Sequence, residues 1–107
     1  MAEVRVKPGV SLFGTQPEML WATDRLAEVW IGPFLVITSG RGDSHSIKSR
    51  HYSGLALDYR SRDLTNKQIH ETVKVGKKAL GEDYDFFFEN DHFHCEYDPE
   101  NKTEYPR

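Results

Sequence analysis

Apolar side chains recur at helical spacing in two segments of the chain. The first series consists of Met19, Ala22, Leu26, Val29 and Trp30. The second series consists of Ile69, Val73, Gly76, Ala79 and Leu80. Because one face of an α-helix repeats about every 3.6 residues, this spacing predicts two amphipathic helices, each with one face on a core.

Helix boundaries are indicated by capping residues. Thr15 followed by Glu18, and Thr65 followed by Gln68, each have the spacing of a capping box, in which two backbone N–H groups are satisfied by side chains. Gly81 follows the second series and fits a C-terminal stop. We therefore expect the helices to begin near Thr15 and Thr65.

Short segments rich in β-branched and aromatic residues predict strands. After an extended arm over 4–10, the predicted strands are 34–38, 55–59, 84–89 and 92–97. Asn90-Asp91 is a plausible two-residue turn between the last two, although the glycine usual in such turns is missing. The order of elements predicts an α+β domain, with a small, mostly antiparallel sheet packed against two helices.

Composition limits the class of protein. The chain has 107 residues, enough for one domain (1–107), in which the polar segment 98–107 is expected to be a loose tail. A net charge of −3 argues against nucleic-acid binding. No apolar run reaches the roughly 20 residues of a membrane span. The opening residues 1–8 lack the apolar stretch of a signal peptide, so none is expected. Cys95 is the only cysteine, so no internal disulfide can form.

Groups that could bind a metal ion are concentrated in the segments 49–58 and 89–96. Zinc binds imidazole nitrogen and carboxylate oxygen, and a catalytic zinc site has three protein ligands and one open position. One histidine and one aspartate from the first segment, with one histidine from the second, would complete such a set. Asp58 lies within an apolar strand, where a carboxylate is costly unless it is paired or bound to a metal.

Alternation along the last strand divides its side chains between two faces of the sheet. His92, His94 and Glu96 would share one face, because successive side chains of a strand point to opposite sides. The intervening residues Phe93, Cys95 and Tyr97 would then face the core.

Two motifs resemble those of a known family. The pattern Ser-x-His-x-x-Gly-x-Ala-x-Asp over 49–58 resembles the zinc motif of the D-alanyl-D-alanine peptidase family of metallopeptidases, which act on peptidoglycan. Asp-His-Phe-His at 91–94 resembles that family's second motif, in which the later histidine binds zinc. The layout is also similar to that of the Hedgehog signalling domain. The resemblance spans about 36–97 and implies the Hedgehog/DD-peptidase fold.

The resemblance also implies roles for individual residues. The Zn²⁺ ligands would be His51, Asp58 and His94. The general base would be Asp91, three residues before His94, or Glu89, three residues before His92, which would have the same spacing if His92 were the ligand instead. We favour His94 as the ligand, and the choice of base stays open. Further candidates for binding the substrate and its oxyanion are Arg41, His45 and His92.

The implied function is zinc-dependent hydrolysis of peptide bonds in cell-wall stem peptides, as a carboxypeptidase or an endopeptidase. The absence of a leader peptide suggests a phage-encoded enzyme such as an endolysin, cytoplasmic until release or associated with the virion. The expected partner is the peptidoglycan stem peptide, without nucleic acid or membrane, and the expected state is a monomer. The alternative is a non-catalytic zinc-containing binding module of the Hedgehog type. A structural zinc site is less well supported, because such sites normally use four protein ligands.

Overall fold

The computed structural model describes residues 1–40 and 53–99, which form an α+β fold. Within these ranges the elements are β1 (Glu3–Val6), α1 (Pro17–Val29), β2 (Phe34–Ser39), β3 (Ala56–Arg60), α2 (Asn66–Leu80), β4 (Tyr84–Glu89) and β5 (His92–Tyr97). This order confirms the predicted succession of arm, helix, two strands, helix and hairpin. The bounds of the hairpin strands β4 and β5 agree with the predicted bounds.

The five strands form one mixed sheet in the order β1-β2-β3-β5-β4. Strand β1 pairs with β2 in parallel, whereas the other three pairings are antiparallel. The predicted mostly antiparallel sheet is therefore corrected to a mixed one. The physical reason is the connection, since α1 lies between β1 and β2 and a helical crossover returns the chain to the end where it began.

The two helices begin differently. Thr65 caps α2 as predicted, because its hydroxyl accepts from the N–H of Gln68 at 3.2 Å and its own N–H donates to Gln68 Oε1 at 2.9 Å. The predicted capping box at Thr15 is wrong, because α1 is capped by Gln16 without a side-chain hydrogen bond. Pro17 starts α1 instead, and a proline fits the first turn because that N–H has no helical partner.

One face of the sheet forms the core with both helices. The fully buried side chains of the sheet include Leu35, Ile37, Leu57, Tyr59, Phe86, Phe93 and Cys95. Trp30, which follows α1, contacts Tyr59 and Phe93 edge-on, with ring centroids 5.9 and 5.1 Å apart. The predicted inward orientation of Phe93 and Cys95 is confirmed. Side-chain alternation then places Asp58, His94 and Glu96 on the face opposite the helices.

The ordered chain continues past β5. Asp98 is fully buried, and its N–H donates to the carbonyl of Asp83 at 2.7 Å. The prediction of a loose tail beginning at Asp98 is therefore wrong for that residue, and residues 100–107 lie outside the described part of the chain. Over the two described ranges, neither helix combines the length and the apolar character that crossing a membrane would require.

Candidate metal centre

The structure describes five of the eight predicted site residues. They are Asp58 on β3, Glu89 at the end of β4, Asp91 in the following turn, and His92 and His94 on β5. The other three, Arg41, His45 and His51, lie outside the described residues. The described residues therefore comprise two predicted zinc ligands, both candidate bases and His92.

Asp58 and His94 are brought together by the pairing of the two central strands. They are cross-strand partners of β3 and β5, although 36 residues separate them in sequence. Oδ1 of Asp58 lies 2.9 Å from Nδ1 of His94. Asp58 is only 8% exposed, so its charge depends on such a partner. On the reverse side of the sheet, Tyr59 and Phe93 form the next cross-strand pair inside the core.

The second nitrogen of the His94 ring meets another carboxylate. Nε2 lies 2.9 Å from Oε1 of Glu96, which is 8% exposed. Burial alone would lower the pKa of His94, but the hydrogen bonds to Asp58 and Glu96 outweigh it and raise the pKa to about 9. Without a metal ion, His94 is therefore an imidazolium at neutral pH that donates one N–H to each carboxylate.

His92 lies among three carboxylates. Its Nδ1 is 3.1 Å from Asp91 Oδ1, and its Nε2 is 3.6 Å from Glu89 Oε1 and 3.8 Å from Asp58 Oδ2. Both candidate bases therefore contact the same imidazole, which also approaches Asp58. This arrangement places the two candidates on opposite sides of the His92 ring.

The turn that carries Asp91 is fixed to the end of β3. Asn90 has a φ of 56°, a left-handed conformation that asparagine tolerates better than most residues. The hydroxyl of Ser61 donates to the carbonyl of Asp91 at 2.7 Å. The predicted Asn90-Asp91 turn thus forms without glycine, and its backbone position is tied to the strand that bears Asp58.

A cavity of about 360 Å³ opens beside the Asp58 carboxylate. It is lined by Lys7, Thr38, Asp58, Arg60, Arg62, Asp91 and His92. Glu89 is not among these lining residues. Of the two candidate bases, Asp91 therefore shares this cavity with a predicted zinc ligand.

A group of acidic residues that we did not predict lies beside the same histidine. Carboxylate oxygens of Asp85, Glu96 and Asp98 lie within 4.8 Å of one another and could hold a metal ion. Asp85 and Glu96 are cross-strand partners, which the hairpin register could have revealed. Asp98 falls in the segment 98–107, which the sequence predicts to be a loose tail. Glu96 thus belongs both to this group and to the contacts of His94.

The Asp58–His94 pair has the donor chemistry of a zinc site. Ligand atoms at about 2.0–2.1 Å from a tetrahedral zinc ion lie about 3.3 Å apart. Oδ1 of Asp58 and Nδ1 of His94 are 2.9 Å apart in a hydrogen bond, so His94 would lose a proton and the two atoms would separate by a few tenths of an ångström to share an ion. In such sites the second nitrogen of a ligating histidine usually donates to a carboxylate. Glu96 has that position relative to His94. The donor types of these described residues therefore suit a zinc ion, and one predicted ligand, His51, lies outside the described ranges.

Comparison of the chain with models of protein families, with curated proteins and with solved structures found no match. Membership of the D-alanyl-D-alanine peptidase family, and with it the Hedgehog/DD-peptidase fold, stays a prediction that rests on the motifs at 49–58 and 91–94.

Proposed function

We propose that this protein is a zinc-dependent metallopeptidase that hydrolyses peptide bonds in bacterial cell-wall stem peptides. The observation that carries the proposal is the 2.9 Å approach of Asp58 Oδ1 to His94 Nδ1. These residues come from two separate motifs that resemble the zinc motifs of one peptidase family. Their convergence on the helix-free face is what a shared metal ion would require.

His51, Asp58 and His94 would hold the ion in this proposal. When bound, zinc lowers the pKa of a water ligand to about 7 and so supplies a hydroxide nucleophile at neutral pH. Asp58 contributes a negative charge, and His94 contributes a nitrogen once its proton has left. Glu96 accepts from the other His94 nitrogen and thereby fixes the orientation of the ring.

Asp91 is the first choice for the general base. It lines the cavity together with Asp58, and its carboxylate is 93% exposed and so accessible to a substrate. Glu89 is the second choice because it does not line this cavity, although its Oε1 approaches the same His92 nitrogen, Nε2, as Oδ2 of Asp58 does. His92 contacts both carboxylates, which suits a residue that orients the base or donates to the developing oxyanion. Arg41 and His45 retain their proposed substrate-binding roles.

The proposal is tested by measuring metal content and hydrolysis on the same preparation. We expect about one zinc ion per chain and zinc-dependent release of fragments from purified cell walls or synthetic stem peptides, followed by mass spectrometry. His94→Ala should abolish both. His70→Ala is the matched control, because His70 is exposed on α2 on the other side of the sheet and should change neither.

The outcomes separate three functions. A protein that contains zinc but leaves walls and peptides intact would support a Hedgehog-type binding module. A protein that contains no zinc at all contradicts the proposal. The position of the cut in the released fragments distinguishes a carboxypeptidase from an endopeptidase.

A further inference from the structure

Ser61 connects two turns at one end of the sheet. It directly follows β3, and only 4% of it is exposed. Its hydroxyl donates to the carbonyl of Asp91 at 2.7 Å, and its own carbonyl accepts from the N–H of Leu64 at 2.9 Å. The first bond reaches the turn of the β4–β5 hairpin, and the second closes the turn that leads into α2. Ser61 therefore links a candidate base to the segment that follows the strand of Asp58.

The side chain of Asp91 does not by itself determine where its carboxylate lies. It is 93% exposed, and its Oδ1 is 3.1 Å from Nδ1 of the adjacent His92. A contact between neighbours in sequence can move together with the turn that carries both. The hydrogen bond from Ser61 restricts that movement, because Ser61 lies only three residues after Asp58.

The sequence of the turn leaves room for such an outside contact. Two-residue hairpin turns need a positive φ, which glycine adopts at the lowest cost. Asn90 adopts a φ of 56° here, and neither central residue is glycine. The turn is therefore less strongly determined by its own residues, and a hydrogen bond to the end of β3 contributes to its position.

We propose that Ser61 is a positioning residue that holds Asp91 in place for proton transfer at the candidate metal centre. The inference rests on the proposed peptidase function. Ser61 is not among the residues that line the cavity, so it acts through Asp91 and not on the substrate. A general base must lie within hydrogen-bond reach of the proton that it removes. Misplacement of a reacting group by about 1 Å can lower a rate by about 10²-fold.

The test is a double-mutant cycle on the zinc-loaded protein, with a synthetic stem peptide as substrate. Ser61→Ala should lower kcat roughly tenfold, because the base is then less well placed. KM and zinc content should stay nearly unchanged. In Asp91→Asn, the same serine substitution should change the residual kcat less than about twofold, since the base that it positions is already absent. A purely structural effect of Ser61→Ala would lower kcat by the same factor in both backgrounds.

Further variants separate the hydroxyl group from the packing around it. Ser61→Thr retains the donor and should keep most of the activity. Amide chemical shifts of residues 90–92 report the position of the turn, and they should change more in Ser61→Ala than in Ser61→Thr. If Ser61→Ala does not fold, as judged by urea denaturation, Ser61→Cys replaces it in the cycle, because a thiol is a weaker donor.

Thr72→Val is the matched control. The hydroxyl of Thr72 is also buried and donates to the carbonyl of Gln68 at 2.7 Å, but it lies on α2, on the other side of the sheet. Its removal should leave kcat and the amide shifts of residues 90–92 unchanged.

An unchanged kcat in Ser61→Ala, equal losses in both backgrounds, or unaltered amide shifts of the turn would overturn the positioning role. Each of these results leaves the peptidase function intact, because the unchanged protein still hydrolyses the peptide. Absence of hydrolysis by the unchanged, zinc-loaded protein would instead refute the peptidase function, and the positioning role would fall with it. The two failures are therefore distinguishable.

Discussion

Glu96 and Asp58 form hydrogen bonds with the two ring nitrogens of His94. Oε1 of Glu96 lies 2.9 Å from Nε2, and Oδ1 of Asp58 lies 2.9 Å from Nδ1. In a zinc-loaded protein only one ring nitrogen can bind the ion, so the other carboxylate becomes an orienting group. Asp58 belongs to the motif that resembles a zinc site. Glu96 therefore has the orienting role in our proposal.

Glu96→Gln should weaken zinc binding by about 10–100-fold, which is the usual effect of removing such an orienting carboxylate. The physical reason is that a neutral amide makes the ring of His94 a weaker and less constrained ligand. Affinity is measured by competition with a chromogenic chelator. Glu71→Gln, an exposed position on α2, is the control and should bind zinc like the unchanged protein. An unaltered affinity in Glu96→Gln would contradict the orienting role.

Asp91→Asn should lower kcat by about 10²-fold or more, because removal of a general base typically costs that much. Zinc content should be unchanged, since Asp91 is not a proposed ligand. Hydrolysis of a synthetic stem peptide and metal analysis give the two readouts. Glu89→Gln provides the comparison, and a larger loss in that variant would transfer the base assignment to Glu89.

Stability of the metal-free protein should fall as the pH rises from about 6.5 to about 9. The pKa of His94 is raised from 6.5 to about 9 in the folded protein, so the folded state retains a proton that the unfolded chain has lost. The stabilisation is complete below pH 6.5 and disappears above pH 9. Its upper limit is about 3 kcal/mol. Urea denaturation in the presence of a chelator measures it.

His94→Gln should remove this pH dependence, because the imidazole whose pKa is raised in the folded protein is then absent. A metal-free His94→Gln variant that still loses stability over the same pH range would show that another group is responsible. His70→Gln should retain the full slope and serves as the matched control.

Gly76→Ala should destabilise the fold by about 1–3 kcal/mol, the usual cost of overpacking a core. A methyl group at position 76 would clash with the ring of Phe86, which is held by Trp30 and Phe93. The gain in helix propensity, about 1 kcal/mol, is not sufficient to compensate. Chemical denaturation measures the change, and Lys74→Ala on the exposed side of α2 is the control. A stabilised Gly76→Ala protein would contradict the packing described here.

The hairpin could be predicted closely because its information is local. The alternation of 84–89 and 92–97 and the intervening Asn90-Asp91 determine both strands and the turn. Since β4 and β5 are adjacent in sequence, their register follows from the turn. The same reasoning could have found the Asp85–Glu96 pair, but not Asp98, whose polar neighbours resemble a tail.

Other features depend on contacts between distant segments. The parallel pairing of β1 could not be predicted, because all four of its side chains are exposed and show no buried alternation. Helix α1 begins at Pro17 and not with a capping box at Thr15, because a proline suits the first helical turn and no side chain caps the helix. The approach of Asp58 to His94 depended on the register of β3 and β5, which the motifs suggested and the local pattern did not determine.

The register of β3 and β5 also determines which side chains reach the candidate metal centre. Sliding β5 by one residue along β3 would exchange the two faces of the strand, sending His94 toward the interior and Phe93 toward water. Such a misaligned pairing would expose the aromatic ring of Phe93 to water and bury the charged ring of His94. Formation of the core and the approach of Asp58 to His94 therefore depend on the same strand register.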